Sequence, residues 1–112
     1  MRAVSLCPAG MSHGDGKFIA IGPIEGPAEL LVFALFSQCQ MHKEIVACWE
    51  KKTGGSRFDK GWRVLGGGYW RLDEGILHLH GNSGDFGAFD RRLVQETLPV
   101  GTVFGEKQIT IE

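Results

Sequence analysis

His42 is the residue in this chain whose type and position best suit it to chemistry. It begins the segment HKEIVACWEKKT (His42–Thr53), whose apolar residues recur at helical spacing and which Gly54 and Gly55 follow. A histidine titrates near neutral pH and can act as nucleophile or general base toward a phosphoryl group. The free amides of a helix's first turn can hold the anionic oxygens of such a group. For His42 alone an ordinary surface histidine is the expected role, and phosphoryl chemistry is predicted only when a second helix start is considered with it.

A second helix start is predicted within the segment ILHLHGNSGDFG, residues 76–87. Apolar and polar residues alternate over its first five positions, which predicts a half-buried strand, and small residues then break the pattern. From Phe86 the apolar spacing is helical. Ser83 or Asp85 is expected to cap this helix, or the amides there hold an anion, and the two roles are compatible. If the two helix starts converge, they form an anion pocket that contains the His42 imidazole.

Other kinds of site receive less support from the residues. His78 and His80 share a strand face and suit zinc, with His42 or a cysteine as a third ligand, but no CxxC or HxxxH motif accompanies them. Half-buried packing is the expected role of this pair, and no metal or other cofactor is predicted. The Gly-Gly-Gly run at 66–68 lacks the Lys and Ser/Thr of a phosphate-binding P-loop. It indicates instead a β-bulge or close packing by another segment.

Composition and charge describe one ordinary domain. Hydrophobic residues make up 43% and charged residues 22% of the 112 residues, and the 17 glycines indicate tight turns and close backbone approach. The net charge of -1, without a basic stripe, argues against nucleic-acid binding, and no apolar run approaches the length of a membrane span. Cys7, Cys39 and Cys48 are odd in number and lack zinc spacing, which favours reduced thiols in the cytoplasm.

The predicted elements follow the order strand, strand, helix, strand, strand, helix, strand. Residues 1–14 lack the apolar core of a signal peptide, so a flexible N-terminal extension, or a start upstream of Met11, is expected before a single domain over 15–112. The apolar run AELLVFALF at 28–36 is predicted as a buried strand, with a buried helix as the alternative. Trp49 and Leu93 are expected to be buried against the sheet. The fold class is α/β (α+β), one mixed β-sheet flanked by two helices.

Four segments, in order along the chain, resemble the Janus/Ocnus family of protein histidine phosphatase-like proteins. They are DGKF at 15–18, MHKEI at 41–45, LGGG at 65–68 and LHLHGNSGDFG at 77–87. The second carries the family's essential histidine, and the fourth resembles its I-H-V-Y-G-x-S-x-x-Y-G motif. The resemblance implies a phosphohistidine phosphatase that acts on a phosphorylated protein or a small phosphoramidate. The alternative is an inactive module on the same fold that binds an anion or an acidic peptide.

The resemblance also implies roles for individual residues in the two helix-start segments. His42 takes the catalytic place, as nucleophile or general base. The phosphate cradle falls on the first amides of the helix, at His42 and Lys43, and on the serine–glycine turn, at Ser83, Gly84 and Asp85. Asp85 stands where the family has a small residue, so it brings a negative charge close to the expected anion.

The family's basic side chains are missing from the positions where the resemblance implies them. These positions hold Ile19, Ala34 and Tyr69. Lys17 lies two residues before Ile19, and Arg71 lies two residues after Tyr69, so each shares a strand face with a lost position. Lys17 and Arg71 are therefore expected to supply the missing positive charge at the phosphate site. The oligomeric state is not indicated by the sequence.

Overall fold

A mixed six-stranded β-sheet positions the other elements. The computed structural model describes residues 1–8, 10–53, 61–98, 101–102, 104–106 and 108–112. The elements in chain order are β1 (Arg2–Ser5), β2 (Gly14–Pro23), β3 (Leu30–Leu35), α1 (His42–Thr53), β4 (Trp62–Asp73), β5 (Ile76–His80), α2 (Arg91–Thr97), β6 (Gly101–Thr102), β7 (Gly105–Glu106) and β8 (Gln108–Ile111). The strand order is β1-β3-β2-β4-β5-β8, while β6 and β7 form a separate two-stranded ribbon. The β1–β3 and β5–β8 pairs are parallel, and the inner pairs are antiparallel.

The mixed sheet with two helices confirms the predicted fold class, but the element order is longer than predicted. Arg2–Ser5 forms an edge strand inside the segment predicted as an N-terminal extension, where no strand was expected. The ribbon of β6 and β7 lies between α2 and the last strand and was not among the predicted elements. The strand β1 has four residues and pairs only with β3, so its structure depends on a distant partner and not on a local pattern.

The two helices lie against opposite faces of the sheet. Along β2, Phe18 and Ala20 belong to the apolar cluster that contains Val94 of α2, whereas Ile19 and Ile21 belong to the cluster that contains residues of α1. The predicted buried strand within 28–36 is confirmed, because Leu30–Leu35 is a strand whose residues 30–34 are all buried. A strand covered on both faces is apolar throughout, which explains why its periodicity was ambiguous.

The helix α1 has the predicted bounds, His42–Thr53. The carboxylate of Glu44 in its first turn accepts the amide of Met41 at 3.1 Å, which satisfies one of the free groups at the helix start. Basic residues in the last turn suit the negative end of the helix dipole. Trp49 is buried against the sheet, as predicted. None of the helices in the described ranges has the length and apolar composition needed to cross a membrane.

The helix predicted from Phe86 begins instead at Arg91. Asp90 is its N-cap and accepts a first-turn amide at 3.0 Å, so the helix cap predicted at Ser83 or Asp85 is wrong. Residues 84–86 form a turn, and Phe86 precedes the helix by five residues. The apolar spacing continues through this turn into the helix, and spacing alone does not separate the two.

The later start of α2 changes which residue the helix buries. Val94 is buried, whereas Leu93, predicted to be buried, is only half-buried. We expect Val94→Ala to lower the free energy of unfolding by about 2 kcal/mol, since it deletes two buried carbon groups and leaves a cavity. Leu93→Ala should cost less than about 1 kcal/mol, closer to the range of surface substitutions. Urea unfolding of the two variants measures this difference, and the reverse order would show that the buried face is misassigned.

Candidate functional site

His42 lies at the first position of α1, with its side chain packed over the glycines of β4. The residue is 2% exposed, and its Nε2 is 2.8 Å from the carbonyl oxygen of Gly68. A carbonyl oxygen only accepts hydrogen bonds, so Nε2 carries the proton and donates it. In the neutral imidazole the lone pair is then on Nδ1, which has no hydrogen-bond partner among the described residues and is not fully buried. The main-chain amides of His42 and Lys43 also have no acceptor among the residues that the structure describes.

The surroundings of the His42 imidazole favour its neutral form. Burial lowers the pKa of His42 from its ordinary value, and this is the largest effect. The hydrogen bond to Gly68 raises the pKa, the ammonium of Lys17 lowers it, and the carboxylate of Asp85 raises it. The net shift is downward, so the imidazole is neutral at neutral pH and the Nδ1 lone pair is available to attack phosphorus or to accept a proton.

Ser83 lies beside His42, in a tight turn and not at the start of a helix. A Cβ atom placed on Gly67 would be 3.0 Å from His42 Cδ2 and 3.4 Å from Ser83 Cβ. Both side chains therefore lie over the same glycine of β4. The structure brings the two predicted site residues together, although only one of them begins a helix.

The turn that carries Ser83 is tied to the sheet by backbone hydrogen bonds. The amide of Ser83 donates to the carbonyl oxygens of Gly67 and Gly87, and the amide of Gly87 donates back to Ser83 at 2.8 Å. Gly87 adopts a positive φ of 83°, which favours glycine. The Ser83 hydroxyl accepts the amides of Asp85 and Phe86 at 3.2 and 3.1 Å. A hydroxyl has two acceptor positions and one donor, and the Ser83 hydroxyl proton has no acceptor among the described residues.

The Tyr69 ring contacts the His42 imidazole and two further rings. Its ring is 5.6 Å from the His42 ring in an edge-to-face arrangement and 5.9 Å from the His80 ring, to which it lies nearly parallel. The ring of Phe36 lies 6.1 Å from the Tyr69 ring. Phe36 and His80 were not predicted to belong to this site. Their contacts depend on strand register and on the loop after β3, and neither is visible in the local pattern.

The two expected cations occupy different positions. Lys17 pairs with Tyr69 across the sheet, holds its ammonium 5.7 Å from the centre of that ring, and donates a hydrogen bond to the carbonyl oxygen of Gln40. Arg71 lies two residues further along β4, opposite Asp15, and its side chain makes no hydrogen bond, ion pair or ring contact with any described residue. Lys17 is thus the cation whose charge acts on the imidazole.

The remaining predicted residues divide into an exposed rim and a buried floor. Lys43, Gly84 and Asp85 are exposed around the imidazole, on α1 and on the Ser83 turn. Ile19 and Ala34, at two of the positions where the resemblance implies basic side chains, are fully buried in the cluster below α1. These two positions therefore contribute packing, and they contribute no charge to the site.

The two histidines of β5 have partners other than a metal. Nδ1 of His78 is 2.7 Å from the hydroxyl of Thr110, and His80 stacks on Tyr69. Within the described ranges, no three His, Cys, Asp or Glu side chains are grouped as a metal ion would require.

The site therefore combines three kinds of hydrogen-bond donor that suit an anionic ligand with one basic atom. The donors are the two first-turn amides that lack an acceptor among the described residues, the Ser83 hydroxyl and the Lys17 ammonium, and the basic atom is Nδ1 of the neutral imidazole. The carboxylate of Asp85 opposes them, since its charge also reaches the imidazole. A scan against protein-family models and a search of the curated proteins find no match to this chain.

Proposed function

We propose that the chain is a phosphohistidine phosphatase-like hydrolase in which His42 is the nucleophile or general base. The observation that carries this proposal is the hydrogen bond from His42 Nε2 to the Gly68 carbonyl, which leaves the lone pair on Nδ1. His42 is the first residue of α1, and the amides of His42 and Lys43 have no acceptor among the described residues. Phosphoryl transfer to a histidine or to water needs a nucleophile or base, and it needs a nearby group that binds the phosphoryl oxygens.

The chemistry follows from the free lone pair. As a nucleophile, Nδ1 forms a bond to phosphorus while the phosphorus–nitrogen bond of the substrate breaks, and the leaving nitrogen takes up a proton. Water then attacks the phosphorylated His42 and releases phosphate. As a general base, Nδ1 instead accepts a proton from the water that attacks phosphorus directly, while the phosphorus–nitrogen bond of the substrate breaks and the leaving nitrogen takes up a proton from solvent. In both routes the amides of His42 and Lys43, together with the Ser83 hydroxyl, would bind the phosphoryl oxygens.

Turnover by the unmodified protein tests this proposal directly. A phosphohistidine peptide and a small phosphoramidate are incubated with the protein, with and without a chelator, and released phosphate is measured. We expect release that the chelator does not change, since none of the proposed steps uses a metal. Release that the chelator abolishes would favour a metal site at His78 and His80. Absence of release from both substrates would overturn the proposal.

One observation favours a binding module on the same fold as a second candidate. The basic side chains that the resemblance implies are replaced at Ile19 and Ala34 by buried apolar residues, and Asp85 adds negative charge near His42. Less positive charge means weaker stabilisation of the transition state, whereas the amides and Lys17 still suit a bound anion. Phosphate binding without any turnover, measured in the same samples, would support this candidate.

Substitutions of the two charges that act on the His42 imidazole should change phosphate affinity in opposite directions. Lys17→Met should weaken binding and Asp85→Asn should strengthen it, each by about fivefold, since one charge at about 4 Å in water is worth about 1 kcal/mol. Arg71→Met removes the same charge from the same sheet face further from the imidazole, and it should change affinity less. Calorimetric titration with phosphate measures all three. The differences should shrink at high salt, and equal effects of Lys17→Met and Arg71→Met would contradict the assignment.

The lowered pKa of His42 predicts how the imidazole responds to pH. Burial favours the neutral form, so protonation should require a pH below the ordinary value of about 6.5. The base should therefore stay unprotonated, and turnover should persist, at a pH where an exposed histidine is already charged. An NMR titration of the four imidazoles measures this, with His42 assigned from the spectrum of His42→Gln. A midpoint for His42 at or above about 6.5 would contradict the prediction.

A further inference from the structure

Two cysteines approach each other, one before the helix that carries His42 and one within that helix. Cys39 lies in the connection from β3 to α1 and is 1% exposed, and Cys48 is an exposed residue of α1. Their sulfur atoms are 3.8 Å apart. A disulfide bond has a sulfur–sulfur length of about 2.0 Å, so the two atoms need to approach by less than about 2 Å. The residues between them include His42.

We propose that Cys39 and Cys48 are a thiol modification site, where exchange with a low-molecular-weight disulfide such as oxidised glutathione forms a reversible intramolecular disulfide. The inference needs only the two thiols and their geometry, and it does not depend on turnover at His42. The side chain of Cys48 is exposed, so an oxidant in solution can react with it. The buried Cys39 thiol is close enough to Cys48 to react as the second thiol.

The exchange takes place in two balanced steps. The Cys48 thiolate attacks one sulfur of oxidised glutathione, which forms a mixed disulfide at Cys48 and releases one glutathione thiolate. The Cys39 thiolate then attacks Cys48 Sγ, which forms the Cys39–Cys48 bond and releases the second glutathione thiolate. The two protein thiols lose two protons and two electrons, and one glutathione disulfide is reduced to two thiols.

The environment of each thiol sets the order of these steps. Burial, followed by the hydrogen bond and charge of Cys48, raises the pKa of Cys39 to about 12. A thiol with so high a pKa is a poor first nucleophile, because the thiolate is the reactive form. Cys48 is the exposed member of the pair and meets the oxidant first. Once the Cys48 sulfur is part of the mixed disulfide it is no longer a thiolate, so the Coulombic effect of that sulfur on Cys39 disappears.

The third cysteine is the internal comparison. Cys7 lies in the N-terminal segment, and its sulfur is 3.9 Å from the carbonyl oxygen of Phe33. Burial raises the pKa of the Cys7 thiol as well. The Cys7 sulfur contacts this backbone oxygen, whereas the sulfur atoms of Cys39 and Cys48 contact each other. Cys7 should therefore stay reduced under conditions that oxidise the pair.

Mass spectrometry of the intact protein tests the inference. The folded protein is incubated with oxidised glutathione, free thiols are alkylated, and the product is digested with trypsin. Cleavage after Lys43 separates the two cysteines, so a disulfide joins two peptides. We expect loss of two hydrogen atoms, a Cys39–Cys48 linked peptide pair, full alkylation of Cys7, and reversal by dithiothreitol.

Two variants establish the order of attack. Cys48→Ser, a change at an exposed position, should give neither the linked pair nor a glutathione adduct at Cys39. Cys39→Ser should hold the glutathione adduct at Cys48, because the second thiol is gone. The result from the unmodified protein decides the question even if Cys39→Ser does not fold. A persistent adduct at Cys48 with Cys39 still alkylated, a Cys39–Cys7 link, or only intermolecular links would each overturn the inference.

Discussion

Replacing His42 with alanine is expected to lower the release of phosphate from a phosphohistidine peptide by about 10²–10⁴-fold, the usual contribution of one positioned acid–base or nucleophilic group. The imidazole is the group in the site whose lone pair is free and whose pKa is low enough to keep it neutral at neutral pH. The measurement is the initial rate of phosphate release at saturating and at low substrate. Unchanged rates in His42→Ala would exclude His42 as the catalytic residue.

The alanine variant also removes a buried hydrogen bond, so a control for folding is needed. An unpaired Gly68 carbonyl costs about 1–3 kcal/mol if it stays buried. His42→Gln is the matched variant, because the glutamine amide can still donate to that carbonyl but offers no basic nitrogen. We expect His42→Gln to melt closer to the unmodified protein than His42→Ala does, and to be equally inactive. His78→Ala, a histidine on β5 bound to Thr110, should retain activity.

The sequence was sufficient to predict α1 because its boundaries are set locally. Glu44 in the first turn accepts the amide of Met41, and basic residues occupy the last turn. The start of α2 was not predicted, because it depends on a tertiary arrangement. The amide of Ser83 donates to a carbonyl of β4, and this bond holds residues 84–86 in a turn although their apolar spacing continues into the helix.

The same distinction applies to the candidate site. Strand alternation placed Lys17 and Arg71 on one sheet face, and it could not say which of them lies nearer to His42. That distance depends on the register between β2 and β4, in which Lys17 pairs with Tyr69. The resemblance identified Tyr69 only as a position that had lost a charge. Its contacts with His42 and Phe36 arise from three separate segments that meet in the fold.

The absence of a Cβ atom at Gly67 matters both for the packing of the sheet and for the position of the site residues. A Cβ atom at Gly67 would lie 2.6 Å from the carbonyl oxygen of Phe18, 3.0 Å from His42 Cδ2 and 3.4 Å from Ser83 Cβ. The distance of 2.6 Å to the Phe18 oxygen is shorter than real Cβ atoms show, and this oxygen belongs to the backbone of a neighbouring strand. One methyl group would therefore force the sheet to move and displace the imidazole from its position.

Gly67→Ala is accordingly expected to lower the free energy of unfolding by about 1–3 kcal/mol, the usual cost of overpacking. This corresponds to a fall in Tm of about 4–8 °C for each kcal/mol in a domain near this size. Phosphate affinity and turnover, measured well below the new Tm, should also fall, because His42 and Ser83 both rest on this glycine. Gly84→Ala is the matched control for stability alone, since a Cβ atom there meets nothing within 4 Å. Thermal melts in which the two variants behave alike would contradict the close packing at Gly67, and an unchanged phosphate affinity of Gly67→Ala would show that the imidazole does not depend on that packing.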